Sequence, residues 1–241
     1  MDIPFFLYRR LSNFITCKFK LSKQSQISLA NKFEVASFKD VFCHPFYWQI
    51  FQYMETAPKL VLDCGAHCGH FSVLADICIS EKFDENDTRY LLVEPNPNLI
   101  PVLHKNISES GLEAKSQIHQ GLLGPKEGSD TLWIAPKNYL ATGLNRQDNS
   151  SKGETVDYLN LDPLVGDQKI DLMKLDIEGG EFEFLEHNLD IFKRTEMIFM
   201  ELHSSTPEKR SEFLDTLSSI GLKVMEKPMS VHGQELVILK R

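Results

Sequence analysis

Disulfide-rich spacing, membrane-length apolar runs and a surplus of positive charge are all missing from this 241-residue chain. Its five cysteines, Cys17, Cys43, Cys64, Cys68 and Cys78, are an odd number. A chain this long can bury roughly 70–75% of its unfolded surface without covalent staples, so reduced thiols in a cytoplasm are expected. No segment approaches the roughly 20 consecutive apolar residues of a membrane span. Met1-Asp-Ile-Pro-Phe-Phe-Leu-Tyr8 has an apolar core too short for a secretory signal, and Arg9 and Arg10 follow it instead of preceding it. Lys and Arg total 26 against 34 Asp and Glu, a net charge of −8. That balance argues against a nucleic-acid partner, because phosphate neutralisation needs clustered cations. With 13 Gly, 11 Pro and 42% hydrophobic residues the chain is neither collagen-like nor low-complexity. One globular domain with an appendage is expected.

The appendage is residues 1–57. Its first 23 residues carry Arg9, Arg10, Lys18, Lys20 and Lys23 against Asp2, a net of +4, interleaved with Phe5, Phe6, Leu7, Leu11, Phe14, Ile15 and Phe19. This basic, aromatic segment reads as a helical arm, either a lid packed across the core or a peripheral contact with an anionic membrane surface. The polar stretch 22–28 reads as its hinge, and the aromatic-rich stretch 42–53 as a buried helix after a Pro-marked turn.

From residue 58 to 241, short apolar runs alternate with amphipathic stretches. Lys59-Leu-Val-Leu-Asp63 predicts a buried strand, and Phe71, Leu74, Ala75 and Cys78 at i, i+3, i+4, i+7 predict one helix face, with His70 turned outward. Tyr90-Leu-Leu-Val93 ends at Glu94, before a helix with Asn96 as cap and Gly111 as stop. Residues 116–119 and 131–134 are weaker strand candidates. Residues 170–176 and 197–203 are clear ones. Between these two lies a helix with Phe182, Leu185 and Leu189 inward; after the second, Thr206 caps a helix that begins at Pro207. Residues 221–225 and 235–239 close the chain as an antiparallel pair. The alternation predicts an α/β fold, a mostly parallel sheet with helices on both faces.

In such sheets ligands sit beyond the carboxyl ends of the strands, where the strand order reverses. The first strand-to-helix loop, Asp63-Cys-Gly-Ala-His-Cys-Gly69, lacks the Gly-x-Gly-x-x-Gly frame of a diphosphate cradle, and Asp63 would repel phosphate. A carboxylate beside a glycine turn suits a phosphate-free ligand with cationic and hydroxyl groups, such as S-adenosylmethionine. Glu94 at the next strand end can accept from two ribose hydroxyls. Cys64, His67, Cys68 and His70 have zinc-ligand chemistry, but the turn between them splays their side chains, so no zinc site is expected.

Asp63-Cys-Gly-Ala-His-Cys-Gly-His-Phe-Ser72, Val93-Glu-Pro-Asn-Pro97 and Asp171-Leu-Met-Lys-Leu-Asp-Ile-Glu-Gly-Gly-Glu181 resemble the three signature blocks of the FkbM family. These are class I S-adenosylmethionine-dependent methyltransferases that act typically on hydroxyls of sugars, polysaccharides or polyketides. Gly180 stands where that family more often has Ala. The resemblance implies a Rossmann-like, seven-stranded sheet with an antiparallel last strand. It implies Asp63, Gly65, Ala66, His67, Gly69 and Ser72 around the methionine moiety, Glu94 and Asn96 at the ribose, and Gln120 and Gly121 at the adenine edge.

For the acceptor, the candidate general bases are His203, with a pKa suited to neutrality, and Asp176 with Glu178; the plain alternative for His203 is to cap the loop before Thr206. Asp176 and Glu178 are candidates to orient the acceptor or the cofactor's ammonium. Asp176, Glu178, Glu201 and His203 could instead hold Mg²⁺, the less favoured scheme. The expected reaction is O-methylation of a sugar, polysaccharide or related small molecule, which could be lipid-linked. The rivals are N-methylation, a nicotinamide-dependent oxidoreductase and a non-catalytic binding protein. Trp133, Tyr139 and the aromatics near residue 46 could stack on a sugar or simply fill the core.

Overall fold

A computed structural model describes residues 12, 16–23, 25–135, 142–144, 150–203, 206–226, 228–231 and 234–241. Arg9, Arg10 and most of the basic arm, together with Tyr139, lie outside the described residues. Among the described residues the first elements are a hairpin, β1 (Cys17–Lys20) and β2 (Gln26–Leu29), followed by α1 (Lys32–Cys43), α2 (Pro45–Gln49) and a 3-10 turn over Ile50–Tyr53. The expected hinge at 22–28 is therefore a tight turn leading into a strand. Leu21 and Ser22 donate their N–H groups to the Ser25 carbonyl, and β1 pairs antiparallel with β2. At the start of α1, Asn31 accepts from the N–H groups of Phe33 and Glu34.

The α/β part follows as β3 (Leu60–Cys64), α3 (His70–Lys82), β4 (Arg89–Glu94), α4 (Ile100–Glu109) and β5 (Ser116–Gln120). A small antiparallel sheet, β6 (Ser129–Ile134), β7 (Thr142–Gly143) and β8 (Lys152–Asp157), interrupts the alternation. Then come α5 (Asp162–Val165), β9 (Ile170–Leu175), α6 (Glu181–His187), α7 (Leu189–Lys193), β10 (Thr195–Leu202) and α8 (Pro207–Ser219). The chain closes with β11 (Lys223–Val224), β12 (Met229–Val231) and β13 (Gln234–Lys240).

The main sheet runs β11-β13-β10-β9-β3-β4-β5, with β12 paired to β13 as an eighth strand. β5, β4, β3, β9 and β10 are mutually parallel, and β13 is antiparallel to β10. From β3 the chain moves outward to β4 and β5, then returns to the other side as β9 and β10. The order therefore reverses between β3 and β9, which opens a crevice at their carboxyl ends.

Both faces of the sheet are buried, and the side-chain period of two assigns alternate residues to opposite cores. Val61, Leu92, Leu172, Phe199 and Ile238 pack on one face with the hairpin, α1, α2 and α3, whereas Leu62, Leu91, Met173, Ile198 and Val237 pack on the other with α6 to α8. The hairpin, α1 and α2 are thus part of the core. Phe46 and Tyr47 of α2 sit 5.7 and 4.5 Å, ring to ring, from Phe199 of β10, which also stacks on Phe71 at 5.9 Å.

Two helices begin or break elsewhere than expected. Asn96 caps a turn by accepting from the Asn98 N–H, and α4 starts only at Ile100, with Pro101 in its first turn. The helix expected through Leu189 breaks at Asn188, whose amide reaches the Gly124 carbonyl at 2.7 Å, so Phe184 and not Phe182 is the fully buried ring. No helix among the described residues is long and apolar enough to cross a membrane.

Phe199→Ala should cost about 3–5 kcal/mol, because it empties the contact between the N-terminal helices and the sheet. The midpoint of urea unfolding measures this, and a loss near zero would contradict the packing described.

Candidate active site

Beyond β3 the chain makes its tightest approach. Gly65 has φ of 77°, and a Cβ placed on it would lie 1.7 Å from the Asp176 carbonyl oxygen, so only glycine fits between β3 and β9. The Gly65 and Ala66 N–H groups both donate to the Val93 carbonyl at 2.9 Å, and the Asn106 amide holds the Cys68 carbonyl at 2.9 Å. Gly69, at φ of 78°, precedes α3, where a Cβ would meet Leu103 at 2.7 Å.

Asp63 lies beneath this loop. It is fully buried, accepts from the Ser72 hydroxyl at 2.7 Å and faces the Lys174 ammonium at 3.8 Å. Lys174 is a site residue that the sequence reading missed. Buried in the middle of β9, it donates to the Gly65 carbonyl at 2.6 Å and pairs with Asp176 at 3.1 Å. Burial opposes its charge, but Asp176 and Asp63 outweigh burial and hold the ammonium charged.

A cavity of about 490 Å³ opens above the strand ends, in the range of a small-molecule site. Of the sequence candidates, Gly65, Ala66, His67, Glu94, Gly121, Asp176 and Glu178 line it. Asp63, Gly69, Ser72 and Asn96 stand behind that wall as buried supports, Gln120 is exposed at the end of β5, and His203 lies behind Asp176 and Glu178. α1 and α2 add Ser37, Asp40, His44 and Tyr47 to the cavity, and β10 adds Glu201.

Glu94 accepts the His67 and Asn96 N–H groups, both at 2.8 Å. Burial pushes its pKa up to about 7 against those two bonds. His70 is also on the cavity wall, and not outward as expected: α1 covers that side of α3, and the Ser37 hydroxyl meets His70 Nδ1 at 2.9 Å. Cys64 and Cys68 are buried, and burial raises both thiols. No zinc set forms from them among the described residues.

Behind Asp176 and Glu178 stands His203. Its Nδ1 meets Glu181 Oε1 at 2.9 Å, and its Nε2 lies 3.2 Å from Glu178 and 3.8 Å from Asp176. Burial disfavours the imidazolium, yet hydrogen bonds to Glu178 and Glu181 and the charges of Glu181 and Asp176 raise its pKa to about 11. Burial also raises Glu178, although the His203 bond pulls it down. As an imidazolium the ring carries an N–H on each nitrogen, one toward Glu181 and the other toward Glu178 and Asp176. Asp176, Glu178 and His203 come close enough to share a cation. Glu201 instead accepts from the Tyr47 hydroxyl, and burial brings its pKa to about 8.

His67 and Glu178 are the non-glycine residues with positive φ among those described, at 50° and 55°. Both line the cavity. Strained backbone of this kind concentrates where a side chain must be aimed at a ligand.

The family described as "Methyltransferase FkbM domain" matches residues 63–224. A solved FkbM methyltransferase from Methylobacillus flagellatus superimposes with a TM-score of 0.53 at 15% identity, covering 87% of this chain and 54% of that one. An O-methyltransferase family protein from Burkholderia thailandensis does so with a TM-score of 0.51 at 8% identity, covering 87% and 59%. This chain therefore spans little more than half the length of either structure. No curated protein matches it.

Two outcomes test the site. Lys174→Met should destabilise the protein by about 3–5 kcal/mol, since it leaves Asp63 buried without its counter-charge; the unfolding midpoint reads this. The His203 imidazole has its pKa raised from 6.5 to about 11 on folding, so its stabilisation is complete below pH 6.5 and disappears as pH rises through about 11. His203→Gln should flatten that decline in a pH series of unfolding midpoints.

Proposed function

The chain belongs to the FkbM methyltransferase family, and on that premise we propose that it transfers a methyl group from S-adenosylmethionine to a hydroxyl of a sugar or related small molecule. The carrying observation is the cavity itself. It begins at Glu94, passes the Gly65 turn and ends among Asp176, Glu178 and Glu201, with acidic groups at both ends. A phosphate-free sulfonium nucleoside suits those walls in charge and size. Glu94 and Gly121 would hold the nucleoside, and Gly65, Ala66 and His67 the amino-acid half.

The cofactor, when bound, supplies a methyl carbon already activated by positive sulfur. This chain's residues supply orientation, dry surroundings and a destination for the proton. Holding the two reactants in line is worth roughly 7–11 kcal/mol in favourable cases. In this reading Asp176 and Glu178 hold the acceptor hydroxyl, and Glu178 takes its proton as the new bond forms. His203 fixes Glu178 from behind and, being charged already, does not act as the base. Lys174 holds Asp176 in place. Asp40, His44 and Tyr47 rim the acceptor end with groups that can hydrogen-bond a polyol.

Saturating S-adenosylhomocysteine, at about 100 times its dissociation constant, should add roughly 2.7 kcal/mol of stability. For a chain of this size that is a melting shift of about 5–11 °C. NAD should give none, and the reverse pattern would end the reading. Glu178→Gln should keep the shift while lowering methyl transfer on the order of 10²–10⁴-fold, measured with labelled methyl donor against a panel of glycans.

A further inference from the structure

Glu181 opens α6, a place where a carboxylate normally faces water and is favoured by the helix dipole. Here its side chain is fully buried. Three N–H groups converge on its Oε1: Ile177 N–H at 3.3 Å, Gly179 N–H at 3.2 Å and His203 Nδ1 at 2.9 Å. Its Oε2 is buried without a hydrogen-bond partner among the described residues. Ile177 and Gly179 flank Glu178, whose φ of 55° is unfavourable for a residue with a side chain. Gly179 follows at φ of 102°, so the chain takes two left-handed steps in a row. Sheet pairing no longer helps there, since Asp176 N–H to the Cys64 carbonyl, at 3.1 Å, is the last backbone bond to β3. The turn's own bond, Gly180 N–H to the Ile177 carbonyl, is long at 3.4 Å. The Glu181 carboxylate is what holds this turn.

The same oxygen also acts on the Glu178 side chain. His203 bridges the two acids, with Nδ1 at Glu181 and Nε2 3.2 Å from Glu178 Oε2. A ring fixed at one nitrogen has its other nitrogen aimed. One carboxylate therefore meets the backbone on both sides of Glu178 and the cation behind its side chain. A role in starting α6 would need neither the burial nor the bond to His203. We propose that Glu181 is a positioning residue, which sets the Glu178 carboxylate toward the acceptor through the turn backbone and through His203. This rests on the function proposed above, which gives Glu178 the proton, and adds the residue that holds Glu178 where it can take it.

The test uses two variants. Glu181→Gln keeps the shape and an acceptor oxygen without the charge, and Glu181→Ala removes all three contacts. In Glu181→Ala, hydrogen exchange at the Ile177 and Gly179 amides should accelerate about 10- to 100-fold, as loss of hydrogen bonds to a charged group does. Glu181→Gln should change it less. His203 faces Glu181 from α6, Asp176 and Glu178 from the turn, and Glu201 from β10. Removing one of these charges should lower the proton affinity of its imidazole about 10- to 100-fold in both variants, read by NMR titration. S-adenosylhomocysteine affinity, measured by calorimetry, should stay unchanged and so certify both folds. Methyl transfer to the panel glycan that the wild type accepts should fall about 100-fold in Glu181→Ala and less in Glu181→Gln, in kcat and not in KM for the donor. Exchange that rises uniformly along the chain, or an unaltered His203 titration, would overturn the positioning role and leave the proposed function standing. Wild-type protein that fails to bind S-adenosylhomocysteine would overturn both.

Discussion

One buried ammonium organises the centre of this protein. Lys174 lies where the strand order reverses, and it binds the Gly65 carbonyl, the Asp176 carboxylate and, at longer range, Asp63. A lysine inside a parallel sheet is tolerable only when its charge is met on several sides. Here that requirement ties the turn after β3 to the end of β9. The glycine turn, the acid that supports it from below and the acid that faces the cavity are all held by one side chain. If that charge were absent, Asp63 would be a buried carboxylate with only Ser72 to receive it.

Much of this was legible from residues alone. The parallel strands β3, β4, β9 and β10 announce themselves as apolar runs ending in polar residues, and α8 by its Thr206 cap and Pro207 start. Gly65, Glu94, Asp176 and Glu178 could be picked out because the carboxyl ends of parallel strands are where chemistry collects. What escaped has physical reasons. The hairpin strands β1 and β2 have four residues each, too few for alternation to register, and β2 buries Ser28 where a polar residue suggests a surface. His70 was placed outward because helix periodicity takes no account of a second helix covering that side. On sequence alone Lys174 is a polar interruption in Leu-Met-Lys-Leu. The usable signal was there: a cation in the middle of a doubly buried strand, two residues before an aspartate, must have partners nearby.

The electrostatic arrangement of the cavity also separates its two ends. Carboxylates dominate toward β9 and β10, and their repulsion is moderated from behind by Lys174 and the His203 imidazolium. Toward α1 and α3 the imidazoles of His67 and His70 and the Ser37 hydroxyl stand beside the opposite charges of Lys39 and Asp40. Such a gradient along one cavity favours a ligand that is itself polarised along its length. It orients that ligand without any residue having to reach across the middle.

The position of β13 has a consequence for how the protein is made. It lies between β10 and β11 and covers the apolar inner strand β10, although it is the last strand in chain order. As the polypeptide leaves the ribosome, β3, β4, β5 and β9 can assemble early, but the free side of β10 must wait. During that interval a flat, water-shy strand presents open backbone groups to any neighbour, which is the usual starting point for intermolecular β-pairing. That edge is closed only when Gln234–Lys240 pairs along it.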